Sequence, residues 1–503
     1  MTGDNGATLG LLDHLPILQT IIPLLAAPFC LLVANGIWAW RIAAVAMSLS
    51  LVVAITLLFT TLDGTVISYA LGGWPPPWGI EYRIDAANTF VLFTVASVGT
   101  LTLPYAYTSV KREIQEDRQR YFYCALLLCF AGLLGITATG DAFNVFVFLE
   151  ISSLASYTLI ALGSDRRALV AAFQYLMMGT IGATFILIGI GFLYAVTGTL
   201  NMMDLHDRIQ EIGGDNRTVR VAMAFLTVGI SLKLALFPLH LWLPNAYAYA
   251  PSAVTVFLAA TSTKVAVYLL LRFFFTVYGA SLSTEVLQLG SVLMPLALLG
   301  IFATSITAIF RSNVKRMLAY SSVAQIGYMI LGISLATQGG LTAGVLHLFN
   351  PALMKAALFM ALGCVAYRLG SVSLEQMAGL SRHMPWTAAA FVVGGLSLVG
   401  VPLTVGFISK WYLVLAALEV NLWPVAALIL MSSLLALVYI WRVVEVMYFR
   451  PPPDNGPAAT EAPWGLLIPT WLMVLANIYF GIDATLTVGA ARAAADQLLG
   501  AAP

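Results

Sequence analysis

The residues best suited to chemistry in this sequence are basic side chains inside long apolar segments. The segment 231–260, SLKLALFPLHLWLPNAYAYAPSAVTVFLAA, contains Lys233, His240 and three prolines. A proline inside a helix removes one backbone hydrogen bond and obstructs another, and a bilayer tolerates freed carbonyls only beside protein or a polar cavity. The break near Pro238 therefore indicates an ion path at Lys233. The alternative is a lysine that snorkels to the membrane interface.

A second interrupted segment, 397–418, places Pro402 eight residues before Lys410. In the first segment the lysine precedes the break, whereas here it follows the break. Two interrupted helices in opposite order are the pattern that an inverted repeat leaves in a sequence. Lys410 is therefore a second candidate for the ion path, again with a snorkelling lysine as the alternative.

Glu150 lies within GDAFNVFVFLEISSLASYTLIALG and is the acid that we place at the centre of a membrane helix. A charge there costs about 3 kcal/mol on insertion scales, so it needs a partner. Lys233 is the natural partner, and the two groups would form a proton site that titrates as a pair. A static buried ion pair is the alternative.

Three further basic residues lie at similar depth. Lys264 is mid-span in TSTKVAVYLLL, and His347 and Lys355 share LTAGVLHLFNPALMKAALFMALG. Eight residues at about 100° each return Lys355 to within roughly 80° of His347 on one helix. Asn350-Pro351 between them predicts an opening of the backbone that admits water.

Each of these groups also has a structural interpretation. Lys264 could be held by carbonyls exposed at a break around residues 244–251, His347 could be a hydrogen-bonded core residue, and His240 could tie down loose carbonyls. As active groups, they complete a row of titratable side chains at membrane depth. The row is Glu150, Lys233, His240, Lys264, His347, Lys355 and Lys410.

Such a row is suited to protons, which can pass between side chains and water. A Na⁺ or K⁺ site normally needs oxygen ligands, and one central carboxylate among four lysines does not provide them. The sequence therefore predicts proton movement, without a metal site and without a flavin, quinone or iron–sulfur cofactor.

These residues belong to a chain with the composition of a polytopic membrane protein. Of its 503 residues, 60% are hydrophobic and 9% are charged, and the mean hydropathy is +0.91. A soluble domain usually carries about 25% charged residues. The formal net charge of +1 gives no indication of a nucleic-acid or acidic partner.

A span needs roughly 20 apolar residues, and this measure predicts an all-α fold of about 14 transmembrane helices. We expect residues 1–120 to hold helices 1–3, 121–283 the first five-helix repeat, 284–450 the inverted second repeat, and 451–503 a loop and helix 14. The approximate limits of the spans are 15–34, 40–61, 85–108, 121–139, 142–163, 168–196, 219–243, 251–278, 284–310, 314–336, 340–369, 386–418, 422–449 and 463–490.

The distribution of lysine and arginine predicts the orientation of these helices. With the N-terminus outside, connectors and flanks on the inner side hold 14 of these residues, including Lys315, and those on the outer side hold 6. This bias predicts that both termini lie on the outer side. We expect the membrane to be a bacterial or archaeal plasma membrane.

Four blocks of the sequence resemble the antiporter-like proton-pumping membrane family. They are FNVFVFLEISSLASYTLIALG, SLKLALFPLHLWLPNAYAYAPSAV, NVKRMLAYSSVAQIGYMILG and GVPLTVGFISKW, and the likeness covers roughly residues 120–420. The family contains Mrp-type multisubunit Na⁺/H⁺ antiporter subunits, the antiporter-like subunits of respiratory complex I and membrane subunits of energy-converting hydrogenases. The resemblance implies fourteen helices, two inverted five-helix repeats with broken helices 7 and 12, and outward termini.

By this resemblance, Glu150 matches the family's helix-5 glutamate, Lys233 its helix-7 lysine and Lys264 its helix-8 lysine. His347 matches the helix-11 histidine, and Lys410 matches the terminal residue of helix 12, which is glutamate in one complex I subunit. The chain is expected to lack the long lateral helix and the extra domains of the largest members. What remains resembles the D-type subunit of the Mrp-type antiporters.

The leading hypothesis is a non-enzymatic, proton-translocating subunit of a multisubunit Na⁺(K⁺)/H⁺ antiporter in the lipid bilayer. Glu150 and Lys233 would accept the proton, Lys264 and His347 would pass it on, and Lys410 would gate its passage. Cation binding would need other membrane subunits of the complex. Two alternatives stay open: a proton-pumping subunit of complex I or of a membrane-bound hydrogenase, and an assembly scaffold with static buried charges.

Overall fold

The chain folds almost entirely into α-helices. The computed structural model describes residues 10–213, 216–452 and 460–500, and within these residues there are 19 α-helices and one two-stranded sheet. In chain order the elements are α1 (Leu15–Leu32), α2 (Gly36–Thr61), β1 (Ile67–Ala70), β2 (Glu81–Ile84), α3 (Ala86–Glu113), α4 (Gln119–Ala138), α5 (Ala142–Ala161), α6 (Arg167–Thr197), α7 (Met202–Glu211), α8 (Arg217–Leu234), α9 (Trp242–Tyr249), α10 (Ser252–Ala260), α11 (Ser262–Leu271), α12 (Leu289–Ile309), α13 (Val314–Ser334), α14 (Gln338–Leu369), α15 (Pro385–Val399), α16 (Val405–Glu419), α17 (Trp423–Phe449), α18 (Trp464–Ile482) and α19 (Thr485–Leu498).

Twelve spans in the described chain are long and apolar enough to cross a bilayer. The two remaining predicted spans are the interrupted ones, which correspond to α8 with α9 and to α15 with α16. The predicted all-α polytopic fold with broken helices 7 and 12 is therefore confirmed. The packing repeats as well, because α4 packs on α5 and α6 on α8, just as α12 packs on α13 and α14 on α16. The residue limits of the two repeats stay a prediction.

Several spans begin at polar residues that cap the first turn. The side chains of Asp85, Asp141, Asn313 and Thr337 each accept a hydrogen bond from the backbone N–H three residues further along. This bond satisfies one of the four N–H groups that lack a partner at a helix N-terminus. These caps fix the residues at which α3, α5, α13 and α14 begin.

The first break lies directly after α8. Ala235 adopts a left-handed conformation with φ 61°, the Phe237–Pro238 bond is cis, and helical structure resumes at Trp242. The Trp242 indole Nε1 donates to the Leu232 carbonyl at 3.0 Å, so a carbonyl at the end of α8 gains a partner. The prediction that free carbonyls would lie around residues 244–251 was wrong in part, because α9 occupies most of that range.

The predicted continuous helix 251–278 is also interrupted. Thr261, with φ −121° and ψ −58°, separates α10 from α11, and a π-helical segment, Arg272–Val277, follows α11. At the second predicted break, Gly400 and Leu403 have φ of 93° and 69° between α15 and α16. Both values are left-handed, and glycine adopts them without a steric cost.

The predicted opening of the backbone at Asn350-Pro351 was wrong. α14 runs through Pro351 without interruption for 32 residues, and the described helices bury it on all sides. The Asn350 side-chain Nδ2 donates to the Val405 carbonyl at 2.7 Å. Packing against neighbouring helices therefore holds this proline within a continuous helix at the centre of the bundle.

Three connectors differ from the expected limits. The segment 62–84 contains the antiparallel strands β1 and β2, in which Ile67 pairs with Ile84. The polar stretch 197–218 contains α7, and the predicted last span 463–490 divides into α18 and α19. Residues 453–459 of the predicted loop 451–462 lie outside the described residues.

A buried ion pair joins the start of α3 to the π-helical segment. The Arg272 guanidinium contacts the Asp85 carboxylate, and its Nε donates to the Tyr268 hydroxyl at 2.6 Å. The Tyr268 hydroxyl donates in turn to the Thr137 carbonyl at 3.0 Å. The Arg272 and Asp85 side chains are only 7% and 1% exposed, so each charge depends on the other for its stabilisation.

Replacing Asp85 by asparagine should destabilise the fold by about 3–5 kcal/mol, because Arg272 then stays buried without a counter-charge. Asparagine still caps α3, so the loss reports on the ion pair. The measurement is the thermal unfolding midpoint of the purified protein. Asp165→Asn, which breaks an exposed pair with Arg167, is the control and leaves the midpoint unchanged. Equal midpoints for Asp85→Asn and the wild type would contradict this role.

Candidate functional site

The structure brings Glu150 of α5 and Lys233 of α8 together. The Lys233 Nζ lies 3.8 Å from Glu150 Oε1, and the two side chains are 5% and 30% exposed. Lys233 Nζ also donates to the Ser153 hydroxyl at 2.8 Å, and Ser153 lies one turn after Glu150 on α5. Glu150 Oε1 accepts no hydrogen bond in the described part of the chain. Lys233 is thus held inside the protein and does not snorkel.

Lys233 lies at the end of a helix that stops within the predicted span 219–243. It occupies the last turn of α8, just before the break at Ala235. The C-terminal end of a helix carries a partial negative charge that favours a nearby cation. Gly182 and Gly229 let α6 and α8 approach closely, since a Cβ on Gly229 would lie 2.7 Å from the Gly182 carbonyl oxygen. The break and this contact together position the lysine.

A small cavity of about 30 Å³ connects Lys233 with the start of α11. It is large enough for one or two water molecules. Four serine side chains give it a polar lining: Ser152, Ser153, Ser156 and Ser262. Ser262 is two residues before Lys264, so the cavity extends from the Glu150–Lys233 pair toward the next basic residue.

Lys264 is buried beside the break at Thr261. Its Nζ donates to the Ala259 carbonyl, which belongs to the last turn of α10. The sequence left open whether freed carbonyls would hold this lysine. The structure places the Ala259 carbonyl next to it, two residues before the break at Thr261 and outside the range 244–251.

Lys355 and His347 both contact α13 from the unbroken α14. Lys355 is fully buried, and its Nζ donates to the Leu318 carbonyl at 2.9 Å and to the Ser321 hydroxyl. His347 Nε2 lies 3.0 Å from Gln325 Oε1. The predicted common face of His347 and Lys355 is thus the face that packs on α13.

His347 also reaches the helix that carries Lys410. Its Nδ1 lies 2.7 Å from the Ser409 hydroxyl, and its ring packs against Tyr328 with centroids 5.4 Å apart. His347 interacts electrostatically with Lys410 and Lys264, and Lys355 interacts with Lys264. Hydrogen bonding joins α14 to α16, and electrostatic interaction relates both helices to Lys264 of α11.

Lys410 is held by the carbonyls that the second break exposes. Its Nζ donates to the carbonyls of Leu398 and Val399 at 3.1 and 2.9 Å and to the Ser433 hydroxyl at 3.1 Å. It also lies 5.1 Å from the centre of the Tyr328 ring, within the range of a cation–π interaction. These partners hold Lys410 inside the bundle, where 6% of the residue is exposed.

His240 lies apart from this cluster, in the first break. Its ring packs on Phe237 with centroids 5.4 Å apart, and Tyr320 lies edge-on at 6.3 Å. Its Nδ1 is buried and has no hydrogen-bond partner among the described residues. In the part of the chain that the structure describes, no contact joins His240 to the other six candidates.

Sequence reasoning missed the polar residues that hold the basic groups. Ser153 lies three residues after Glu150 and contacts Lys233, and Ser409 lies directly before Lys410 and contacts His347. Gln325 and Tyr328 of α13 contact His347 and Lys410. A hydroxyl three residues after Glu150 or directly before Lys410 was a usable signal. Gln325 and Tyr328 lie on a helix without a candidate of its own, so only the fold reveals them.

No group of three or more His, Cys, Asp or Glu side chains in the described chain could hold a metal ion.

All seven candidate residues fall within a single family match. Residues 139–436 match the family described as NADH:quinone oxidoreductase/Mrp antiporter, TM. The chain belongs to this family. The resemblance of the four sequence blocks is therefore confirmed. The relatives that are named as antiporter subunits are components of transporters and not catalytic enzymes.

Both branches of the family occur among the relatives. The N subunit of NADH-quinone oxidoreductase from Desulforudis audaxviator is 42% identical over 485 residues, which cover 93% of this chain and 96% of that protein. The D-type subunit of the Na(+)/H(+) antiporter from Bacillus subtilis is 30% identical over 473 residues, which cover 94% of each. A chain of the solved Mrp complex from Dietzia sp. DQ12-45-1b matches with a TM-score of 0.90 and 25% identity, over 98% of both chains.

Gly406 determines the geometry of the second break in this member of the NADH:quinone oxidoreductase/Mrp antiporter family. A Cβ at this position would lie 1.8 Å from the Ser397 carbonyl oxygen. The glycine thus lets the first turn of α16 approach the last turn of α15, where the Leu398 and Val399 carbonyls hold Lys410.

Gly406→Ala should force α15 and α16 apart and destabilise the protein by about 1–3 kcal/mol, the usual range for overpacking. The thermal unfolding midpoint of the purified protein measures the effect. Gly191→Ala is the matched control, because a Cβ there meets no atom within 4 Å. Alanine also favours a helix by up to about 1 kcal/mol over glycine, so the control midpoint stays the same or rises. A Gly406→Ala midpoint equal to that of the control would contradict the role of this contact.

Proposed function

We propose that this chain is the proton-translocating membrane subunit of a multisubunit Na⁺(K⁺)/H⁺ antiporter, with both termini on the outer side of a prokaryotic plasma membrane. The observation that carries the proposal is the set of titratable groups at and between the two helix breaks, all buried except the partly exposed Glu150. Glu150 and Lys233 lie at the first break, Lys410 lies at the second, and basic side chains of α11 and α14 lie between them.

The first transfer would occur at the Glu150–Lys233 pair. A proton that reaches Glu150 removes the negative charge that stabilises the Lys233 ammonium 3.8 Å away. Lys233 would then release its proton toward the serine-lined cavity, which has room for water. Ser153 contacts both the ammonium and the cavity, so it would orient the lysine during this step.

The later transfers would follow from repulsion between neighbouring cations. Lys264 interacts electrostatically with Lys355 and with His347, and His347 interacts with Lys410. Like charges in a medium of low dielectric constant repel strongly. A proton that arrives at one group therefore favours release from the next. Ser409 contacts His347 Nδ1 and precedes Lys410 in α16, so it is suited to the last transfer.

The transported cation would bind elsewhere in the complex. Na⁺ and K⁺ prefer several oxygen ligands, and Glu150 is the one carboxylate in this buried set. The Na(+)/H(+) antiporter relative from Bacillus subtilis and the Mrp complex support an assembly with other membrane subunits, which would supply those ligands.

A second candidate function is a proton-pumping membrane subunit of a redox-driven complex. The relative at 42% identity, the N subunit of an NADH-quinone oxidoreductase, favours it. The same relay would then move protons in response to electron transfer in other subunits. Cation dependence separates the two functions, because the antiporter needs Na⁺ or K⁺ for proton movement and the redox-driven pump needs an electron donor.

Lys233→Ala should abolish ΔpH-driven cation/proton exchange in everted vesicles that carry the whole complex. The substitution removes the ammonium group whose proton is released when Glu150 becomes protonated. The readout is the Na⁺- or K⁺-dependent dequenching of a ΔpH dye, with assembly checked by co-purification. Exchange in the assembled Lys233→Ala complex would contradict the relay. Lack of exchange in the wild type, with proton movement driven by an electron donor, would favour the redox-driven pump.

Ser153→Ala should slow the exchange several-fold without abolishing it. The substitution removes the 2.8 Å hydrogen bond of Lys233 and one polar group of the cavity but keeps the ion pair. Initial dequenching rates in the same vesicles measure the loss. Thr158→Ala, which alters an exposed hydroxyl on the same helix, is the control and keeps the wild-type rate. An unchanged rate in Ser153→Ala would exclude the positioning role of this serine.

A further inference from the structure

We propose that a cavity beside the start of α2 and the connector between α3 and α4 binds the headgroup of a phosphatidylethanolamine molecule from the surrounding bilayer. The cavity has a volume of about 360 Å³, within the range of about 300–1,000 Å³ that is usual for small-molecule sites. It lies on the side of the membrane that the charge distribution predicts to be the inner one. None of the seven candidate relay residues lines it, so the inference goes beyond the proposed function and does not depend on it.

The first turn of α2 forms one wall of the cavity and is suited to a phosphate. The Asn35 side chain caps this helix and accepts a hydrogen bond from the Trp38 N–H at 3.3 Å. The N–H groups of Gly36 and Ile37, which both line the cavity, have no hydrogen-bond partner in the described chain. Free N–H groups and the partial positive charge of a helix N-terminus together favour an anion.

Two tyrosine hydroxyls in the cavity also lack a partner. Tyr123 of α4 is only 2% exposed, yet its hydroxyl makes no hydrogen bond with any described residue. Tyr107 of α3 lines the same cavity with a hydroxyl that is likewise unpaired among the described groups, and the two side chains interact electrostatically. A buried hydroxyl without a partner costs free energy, so these two groups point to a ligand that accepts hydrogen bonds from them.

The cavity also contains one positive and one negative side chain that are not paired with each other. Lys111 lies in the last turn of α3, and Glu116 is the first residue of the 3₁₀ turn that precedes α4. Neither side chain forms an ion pair or a hydrogen bond within the part of the chain that the structure describes. A zwitterion satisfies both, with its phosphate at Lys111 and its ammonium at Glu116. Phosphoethanolamine has this charge pattern, whereas phosphatidylglycerol lacks the ammonium and phosphatidylcholine lacks its N–H donors.

The residues beside the cavity place it at the level of lipid headgroups. Trp38 and Tyr121 are exposed, and Arg41 and Arg120 lie over their rings at 4.5 and 5.0 Å. Tryptophan and tyrosine are enriched at the membrane–water interface. Leu32, the last residue of α1, is exposed close to this wall and offers acyl chains an apolar surface. A membrane lipid therefore fits this position better than a dissolved zwitterion does.

The test measures lipid binding by the purified complex with native mass spectrometry. Phosphatidylethanolamine and phosphatidylglycerol with identical acyl chains are titrated separately, and the dissociation constant of the tightest site is determined for each. We expect Lys111→Gln to weaken phosphatidylethanolamine binding about tenfold, the usual effect of losing one charged hydrogen bond. Glu116→Gln should abolish the preference for phosphatidylethanolamine over phosphatidylglycerol. Arg382→Gln, which neutralises an exposed basic residue between α14 and α15, is the control and keeps the wild-type constants.

Tyr123→Phe separates a lipid contact from a structural role. Because the hydroxyl bonds no described protein group, this variant should bind phosphatidylethanolamine several-fold more weakly and keep the wild-type thermal unfolding midpoint. If Lys111→Gln fails to assemble, Tyr123→Phe decides by the same comparison. Wild-type affinity for phosphatidylethanolamine in both variants would overturn the inference.

Two further outcomes would also refute the proposed ligand. Equal affinity of the wild type for the two lipids would mean that Glu116 recognises no ammonium. Soluble phosphoethanolamine, titrated against the bound lipid, distinguishes the two sources of the headgroup. Displacement only at concentrations far above that of the lipid supports a site for a bilayer lipid, whereas displacement at equal concentrations would assign the cavity to a dissolved zwitterion.

Discussion

The structure depends on how lysine side chains inside a lipid-embedded bundle find hydrogen-bond acceptors. An ammonium group that leaves water loses several kcal/mol of solvation, and acidic residues are scarce in this interior. Broken helices provide the acceptors. Lys264 and Lys410 donate to carbonyls beside breaks, and Lys233 lies at the end of α8, where the helix stops. Each break therefore supplies the negative potential that permits a cation at that depth.

The same argument explains why the interruptions and the lysines occur together. A carbonyl that leaves its helical hydrogen bond is also costly in lipid, although an unpaired ammonium costs far more. Placing the two next to each other satisfies both with one contact. Neutral hydrogen-bond donors can also fill this role, as Trp242 does at the Leu232 carbonyl. A lysine differs from tryptophan because it can also give up its proton, and this makes a helix break chemically useful.

Hydropathy and residue type were sufficient to predict the spans and both broken helices, because each of these depends on a single segment of the sequence. They were also sufficient to predict the contact between Glu150 and Lys233, because Glu150 was the one acid placed at the centre of a predicted span. They were insufficient where neighbouring helices decide. Pro351 was expected to open its helix, but packing on every side of α14 keeps it intact. The charge distribution assigned Lys315 to an inner-side connector or flank, whereas it is 7% exposed and donates to the Ala250 carbonyl. The break at Thr261 has neither proline nor glycine to announce it.

The continuous α14 sets the position of the second break. Neighbouring helices bury it on every side and hold it in place, although Pro351 lacks the N–H that a helix interior normally uses. The Asn350 side chain donates to the carbonyl of Val405, the first residue of α16, and His347 contacts Ser409 one turn later. The first turns of α16, which lead to Lys410, are therefore bonded to a helix that cannot shift without displacing its neighbours.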